Sequence, residues 1–193
     1  VLFRSTQKVI AIVPAYNEEG KIGNVVRKIK TSSAPIQSVV VIDDCSTDNT
    51  VPEAKESGAE VLRQDKNEGV GAAIRSGIYY GYRYGYDIGI IFSGDDQHDP
   101  SEAPSLLDPI LEDGFDFVQG SRYIRNGKTI NQSFFRNLTT KLYPVFFYFL
   151  TLKKCTDVTN GLRAFKIAKI INDNNIELNQ KWLNRYELEV YLL

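Results

Sequence analysis

Short β-branched runs alternate with stretches of helical period along the first two thirds of the chain, and a turn or capping residue marks each handover. Residues 8–13 form an apolar run ended by Pro14, and residues 18–30 then place Ile22, Val25, Val26 and Ile29 on one helix face. The pattern returns at 38–42, which ends at Asp43-Asp44; Ser46, Thr47 and Asp48 can cap a helix that runs to about Ser57, where Gly58 stops it. A third strand is predicted at 60–62, a helix at 69–84, a fourth strand at 88–92, a helix at 101–111 and a fifth strand at 115–118. This alternation predicts an α/β fold with a doubly wound, mainly parallel sheet. Beyond Gly120 the rhythm breaks into a polar loop at 121–132, an apolar and aromatic helix at about 133–152 kinked at Pro144, a turn at Asn160-Gly161 leading into a strand, and a helix near 166–172.

A length of 193 residues with no linker or repeat fits one domain, a first half at 1–120 and a second segment at 121–193. Cys45 and Cys155 are far apart and lack metal-ligand spacing, so neither a disulfide framework nor a zinc site is expected, and a reducing compartment is the default. No signal peptide and no spanning helix is predicted. The net charge of −1 hides an asymmetry: residues 117–156 hold seven basic residues and no acidic one, which leaves −8 elsewhere. A segment this basic faces something anionic. The helix at 133–152 is too short to span a bilayer and too apolar to be solvated, so a membrane-surface helix is preferred over one packed on the sheet or on a neighbouring subunit.

Four loops follow predicted strands: VPAYNEEG at 13–20, DDCSTD at 43–48, the glycine-rich DKNEGVGAA at 65–73 and FSGDDQHDP at 92–100. In a parallel sheet these strand ends open on one edge, so the loops converge on one pocket. Tyr16 could stack on a base, although a tyrosine there more often packs. Asp43 or Asp44 could accept a base N–H or a ribose hydroxyl, and the backbone around Gly69 and Gly71 could approach a nucleotide closely. Asp95, Asp96, Asp99 and Gln97 are hard oxygen donors of the kind that hold Mg²⁺ or Mn²⁺ on a diphosphate, and the bland alternative is an acidic turn that starts the next helix at Asp99-Pro100. His98 reads as a turn residue. The glycine loop lacks both the dinucleotide and the P-loop spacing, and no nucleic acid partner is expected.

At these positions the chain resembles the inverting glycosyltransferases of the GT-A fold, within family 2 the dolichol-phosphate mannose synthase-like and polyprenyl-phosphate branch. VPAYNEEG, VVVIDDCSTDNT, KNEGVGAAIRSG, DDQHDP, GSRY and TNGLRAFK match in order from about residue 9 to 166. The resemblance implies a nucleotide pocket lined by Pro14, Ala15, Tyr16, Glu18, Asp43, Asp44, Gly71, Ser93, Gly94 and Asp95, a metal on Asp95 and Gln97, and an acceptor phosphate near Arg122, Arg136 and Thr140, the last standing where such enzymes often have serine. Asp95, Arg122 and Arg136 would carry the catalysis. The family's D-x-D-x-Q motif is here Ser93-Gly94-Asp95-Asp96-Gln97, so a hydroxyl replaces the first carboxylate.

The expected activity is therefore a metal-dependent hexosyl transfer from GDP-mannose or a UDP-sugar to a polyprenyl or dolichyl phosphate, by a peripheral protein on the cytoplasmic side of a membrane, with an oligomer compatible. The alternatives are a GT-A enzyme acting on a saccharide or protein, and a non-catalytic nucleotide-sugar-binding module.

Overall fold

A computed structural model describes residues 7–124, 134–152 and 154–193, with the backbone alone described over 134–141. The elements in chain order are β1 (Val9–Ala15), α1 (Ile22–Thr31), β2 (Ile36–Asp43), α2 (Thr50–Glu56), β3 (Glu60–Arg63), α3 (Val70–Arg83), β4 (Ile88–Ile91), α4 (Ala103–Leu111), β5 (Phe117–Gln119), α5 (Phe134–Thr151), β6 (Arg163–Lys166), α6 (Ile167–Asn172) and α7 (Glu187–Tyr191). The sheet order is β3-β2-β1-β4-β6-β5. β1 pairs in parallel with β2 and β4, and β2 with β3, whereas β6 lies antiparallel between β4 and β5.

The central strand explains the layering. Successive side chains of a strand point to opposite faces, and in β1 Val9, Ala11 and Val13 join a core under α1 and α4, while Ile10 and Ile12 join a second core under α3, α6 and α7. β2 divides its residues the same way, with Val39 and Val41 on the first face and Val40 and Ile42 on the second. Both faces are covered, so the runs are continuously apolar rather than alternating. Helix α3 lies unusually close to the sheet. A methyl group at Gly77 would overlap Ile12, and one at Gly81 would press on Ile167. Each glycine costs a helix interior about 1 kcal/mol relative to alanine, and the close approach of α3 to β1 is what requires them.

The predicted strands and helices of the first 120 residues are all present, with ends displaced by a few residues. The differences lie in the second segment. The strand after Asn160-Gly161 is inserted between β4 and β5 with Ile91 opposite Arg163, a placement no local pattern reveals. A short turn of 3₁₀ helix at Lys181–Leu183 and α7 follow where no element was expected. Most of the loop at 121–132 lies outside the described residues.

Candidate functional site

Because β1 to β4 are parallel, the loops that follow them emerge on one edge and are sewn together there. Asn17 takes a left-handed conformation (φ 54°), which asparagine tolerates better than most residues. Four consecutive N–H groups then reach the second loop and the start of α2: Asn17 donates to Ser46 Oγ (2.9 Å), Glu18 to Thr50 Oγ1 (2.7 Å), Glu19 to Asp48 Oδ2 (3.0 Å) and Gly20 to Glu53 Oε2 (2.8 Å). Asp44, buried, accepts from Glu68 N (2.8 Å) and Gly69 N (2.7 Å), so it fixes the glycine loop against β2. Three loops are thus one hydrogen-bonded unit.

The fourth loop, FSGDDQHDP, sorts its carboxylates by direction. Asp96 adopts φ 66° and turns away to α1, where it accepts from Asn24 Nδ2 (2.7 Å) and pairs with Lys28 (2.9 Å). Asp99 accepts from Ser101 N (3.0 Å), the bond that starts the following helical turn and holds its carboxyl below the ordinary value. Asp95 alone faces the converging loops. Its Oδ1 accepts from Ser93 Oγ (2.5 Å) and Gln97 N (3.1 Å), and its Oδ2 has no hydrogen-bond partner among the described residues. Burial pushes His98 down to about 4, so its ring is neutral, and Nδ1 accepts from Ser93 N (3.0 Å). His98 is therefore the post that holds the loop, a role that its position in a turn does not announce.

These loops enclose a cavity of about 550 Å³. Pro14, Ala15, Tyr16, Glu18, Asp44, Ser93, Gly94 and Asp95 line it, joined by Asn67, Glu68, Gly69, Val70 and Ala73. Tyr16 is exposed on its wall rather than packed. Two residues expected at a nucleotide lie elsewhere. Asp43 is fully buried beneath the floor, accepting from Ser46 N (3.2 Å) and paired with Arg63 (3.5 Å). Gly71 does give a close approach, but the backbone of residues 183–185 occupies it. That segment brings in Arg185 and Tyr186, which also line the cavity. Sequence reading missed them because they sit in an aperiodic stretch whose only signal is a basic–aromatic pair. Gln97 is exposed and outside the lining.

Arg122 is held by Asp157 through Nε (2.7 Å) and Nη2 (2.9 Å) and by Thr159 Oγ1 (2.6 Å). Burial alone would raise the Asp157 carboxyl, but the bonds from Arg122 outweigh it and hold Asp157 below the ordinary range. Arg122 Nη1 has no hydrogen-bond partner among the described residues. Arg163, 1% exposed, donates to Asn160 O (3.0 Å) and to Glu189 O, and lies 3.7 Å from the Glu189 carboxylate, which ties α7 to β6. A smaller cavity of about 280 Å³ is lined in part by Gln119, Ser121, Phe147 and Asp157, the partner of Arg122. The side chains of Arg136 and Thr140 lie outside the described residues. From Leu142 onward α5 buries Phe147 but leaves Phe146 65%, Phe149 75% and Leu150 84% exposed.

Among the described residues no group of three or more His, Cys, Asp or Glu side chains is arranged to hold a metal. One carboxylate with a free oxygen, beside the Ser93 hydroxyl, fits Mg²⁺ or Mn²⁺, which keep several waters and complete their shell with substrate phosphates. It does not fit an ion that requires an all-protein cage.

The profile described as Glycosyl transferase family 2 matches residues 10–170. The UDP-N-acetylglucosamine–dolichyl-phosphate N-acetylglucosaminyltransferase of Methanococcus voltae is 33% identical over 177 residues, covering 80% of this chain and 67% of the relative. The polyprenol monophosphomannose synthase of Mycolicibacterium smegmatis is 31% identical over 169 residues, covering 84% of this chain and 63% of the relative. Among solved structures, glucosyl-3-phosphoglycerate synthase from Mycobacterium tuberculosis, crystallised with Mn²⁺, UDP-glucose and phosphoglyceric acid, superposes with a TM-score of 0.67 at 22% identity, covering 86% of this chain and 58% of that one. That likeness shows the GT-A fold. The chain spans about two thirds of the length of these curated relatives and less of the solved structure.

Proposed function

Because the chain belongs to glycosyl transferase family 2, we propose that it moves a sugar from a nucleoside diphosphate sugar, GDP-mannose or a UDP-sugar, to a polyprenyl or dolichyl phosphate. The donor occupies the 550 Å³ cavity, with its base near Tyr16 and its diphosphate toward Asp95. The observation that carries the lipid acceptor is α5, whose aromatic residues face outward beside the segment that holds Arg122. The names of the curated relatives support the same acceptor class.

The chemistry suits the residues present. A phosphate monoester has its second pKa near ~6 and is largely dianionic at neutral pH, so it attacks the anomeric carbon without a strong base. The bond from that carbon to the diphosphate oxygen breaks on the opposite face, the electron pair leaves with the diphosphate, and the configuration inverts. A divalent ion, when bound by Asp95 and assisted by Gln97, supplies positive charge to the departing diphosphate. Asp157 fixes the guanidinium of Arg122, and the two N–H groups on Nη1 are left to orient the attacking phosphate. We assign Arg136 and Thr140 to the same phosphate. Ser93 keeps Asp95 oriented through its 2.5 Å hydrogen bond.

Among the described residues no helix is long and apolar enough to cross a membrane. From the outward aromatic residues of α5 we propose peripheral attachment through this helix, at the cytoplasmic face. The test is a screen of GDP- and UDP-sugars against polyprenyl phosphate in vesicles, with Mn²⁺ or with chelator. Metal-dependent labelling of the lipid is expected; transfer to saccharides alone, or donor binding with no transfer, would replace this reading.

A further inference from the structure

We propose that Arg185 grips the diphosphate of the donor, so that residues 183–186 form a wall of the donor site. The inference rests on reading the 550 Å³ cavity as that site.

The segment is fastened to the first turn of α3. Its carbonyls fill the space over Gly69 and Gly71, where a methyl group at Gly71 would overlap Leu183 O and Arg185 O. Asn184 O accepts from Ala72 N (3.1 Å), and Arg75 donates to Leu178 O (3.1 Å) and to Asn184 Oδ1 (2.8 Å). The next residue along, Arg185, is thereby held at the cavity wall.

Charge then argues for its purpose. The lining carries the carboxylates of Glu18, Asp44, Glu68 and Asp95, and Arg185 is its one cation. Glu18 is already paired with Lys21 (2.9 Å), Glu68 with Lys66 (3.1 Å), and Asp44 is satisfied by two backbone amides. Arg185 makes no hydrogen bond or ion pair with any described residue. Of the amides at the start of α3, Gly69 N is taken by Asp44, Ala72 N by Asn184 O and Ala73 N by Gly69 O, which leaves those of Val70 and Gly71. Besides an ion at Asp95, the one full positive charge the lining offers a diphosphate is Arg185, whose planar fork suits phosphate oxygens.

Calorimetry of the whole chain with UDP, GDP, uridine and guanosine in Mn²⁺ tests this, using Arg185→Ala and Arg185→Lys. We expect Arg185→Ala to bind the preferred diphosphate about ten- to a hundredfold more weakly. Its nucleoside affinity and melting temperature should be unchanged. Arg185→Lys should recover part of the loss, and the gap between wild type and Arg185→Ala should narrow with added salt. Diphosphate binding that survives Arg185→Ala, or a loss equal for nucleoside and diphosphate, overturns the assignment and leaves the donor cavity standing. Failure of wild type to bind either diphosphate overturns both.

Discussion

On the proposed donor side, the loops after β1, β2 and β3 satisfy one another: Asn17, Glu18, Glu19 and Gly20 each spend a backbone N–H on the second loop or the start of α2, and Asp44 spends both oxygens on the third. On the acceptor side, α5 turns Phe146, Phe149 and Leu150 outward and buries Phe147. One region is complete within the chain, and the other presents surface that water solvates poorly. Rigid polar loops suit a small polar ligand that must be oriented, and an outward aromatic helix suits a partner that is itself a surface. That contrast supports the proposed division, a donor held by the converging loops and an acceptor delivered along α5.

The strongest way to break the comparison is at Asp95. Asp95→Ala should lower metal-dependent transfer by about a hundredfold or more and abolish the effect of Mn²⁺ on donor binding. Asp96→Ala should stay within a few-fold of wild type, since Asp96 is engaged with Asn24 and Lys28 on α1. Equal losses in turnover and calorimetry would reject the distinction between the two carboxylates.

Next comes the anchor of Arg122. Asp157→Asn breaks an ion pair whose carboxylate is buried and should cost about 2–4 kcal/mol, a melting temperature lower by about 5–15 °C. Its pH dependence has a definite sign. The native Asp157 carboxyl lies below its ordinary value of 3.8, so the stability it contributes is present above that value and is lost as the pH falls through the lower native one. Thermal melts at decreasing pH should therefore converge for wild type and Asp157→Asn; curves that stay parallel would assign the stability elsewhere.

How much of this was legible in the sequence follows the same divide. The strand–helix rhythm through Gln119 could be read because each element there carries its own period, and several their own stop, such as Gly58 after α2. Eight of the ten residues expected at the nucleotide line the cavity, since the parallel strands force their loops together. Asp43 and Gly71 do not, and the reason is tertiary: Asp43 was needed for Ser46 and Arg63, and Gly71 for the backbone of 183–185. Nor could the insertion of β6 between β4 and β5, or the arrival of Arg185, be read from local pattern, because both depend on contacts made across more than 40 residues of chain.

A smaller effect sharpens the acceptor side. Phe146→Ser with Phe149→Ser should release the protein from anionic vesicles, because interfacial binding scales with buried apolar area. Stability should change by only about 0.5 kcal/mol, since both rings are already exposed. Unfolding of this variant, with no vesicle binding by wild type, would return α5 to the core. The smallest change expected is at Ser93: Ser93→Asp adds a second carboxylate beside Asp95 and should tighten Mn²⁺ binding severalfold in titration calorimetry, and an unchanged affinity would set Ser93 apart from the ion.

The central claim, sugar transfer to a lipid phosphate at the Asp95 edge, is tested most directly by incubating the protein with labelled GDP-mannose or UDP-sugars and vesicles containing polyprenyl phosphate, and by measuring label in the lipid. The account predicts incorporation with Mn²⁺, its loss with chelator, and its loss in Asp95→Ala. Tight binding of the donor nucleotide with no label in the lipid under any of these conditions would contradict it.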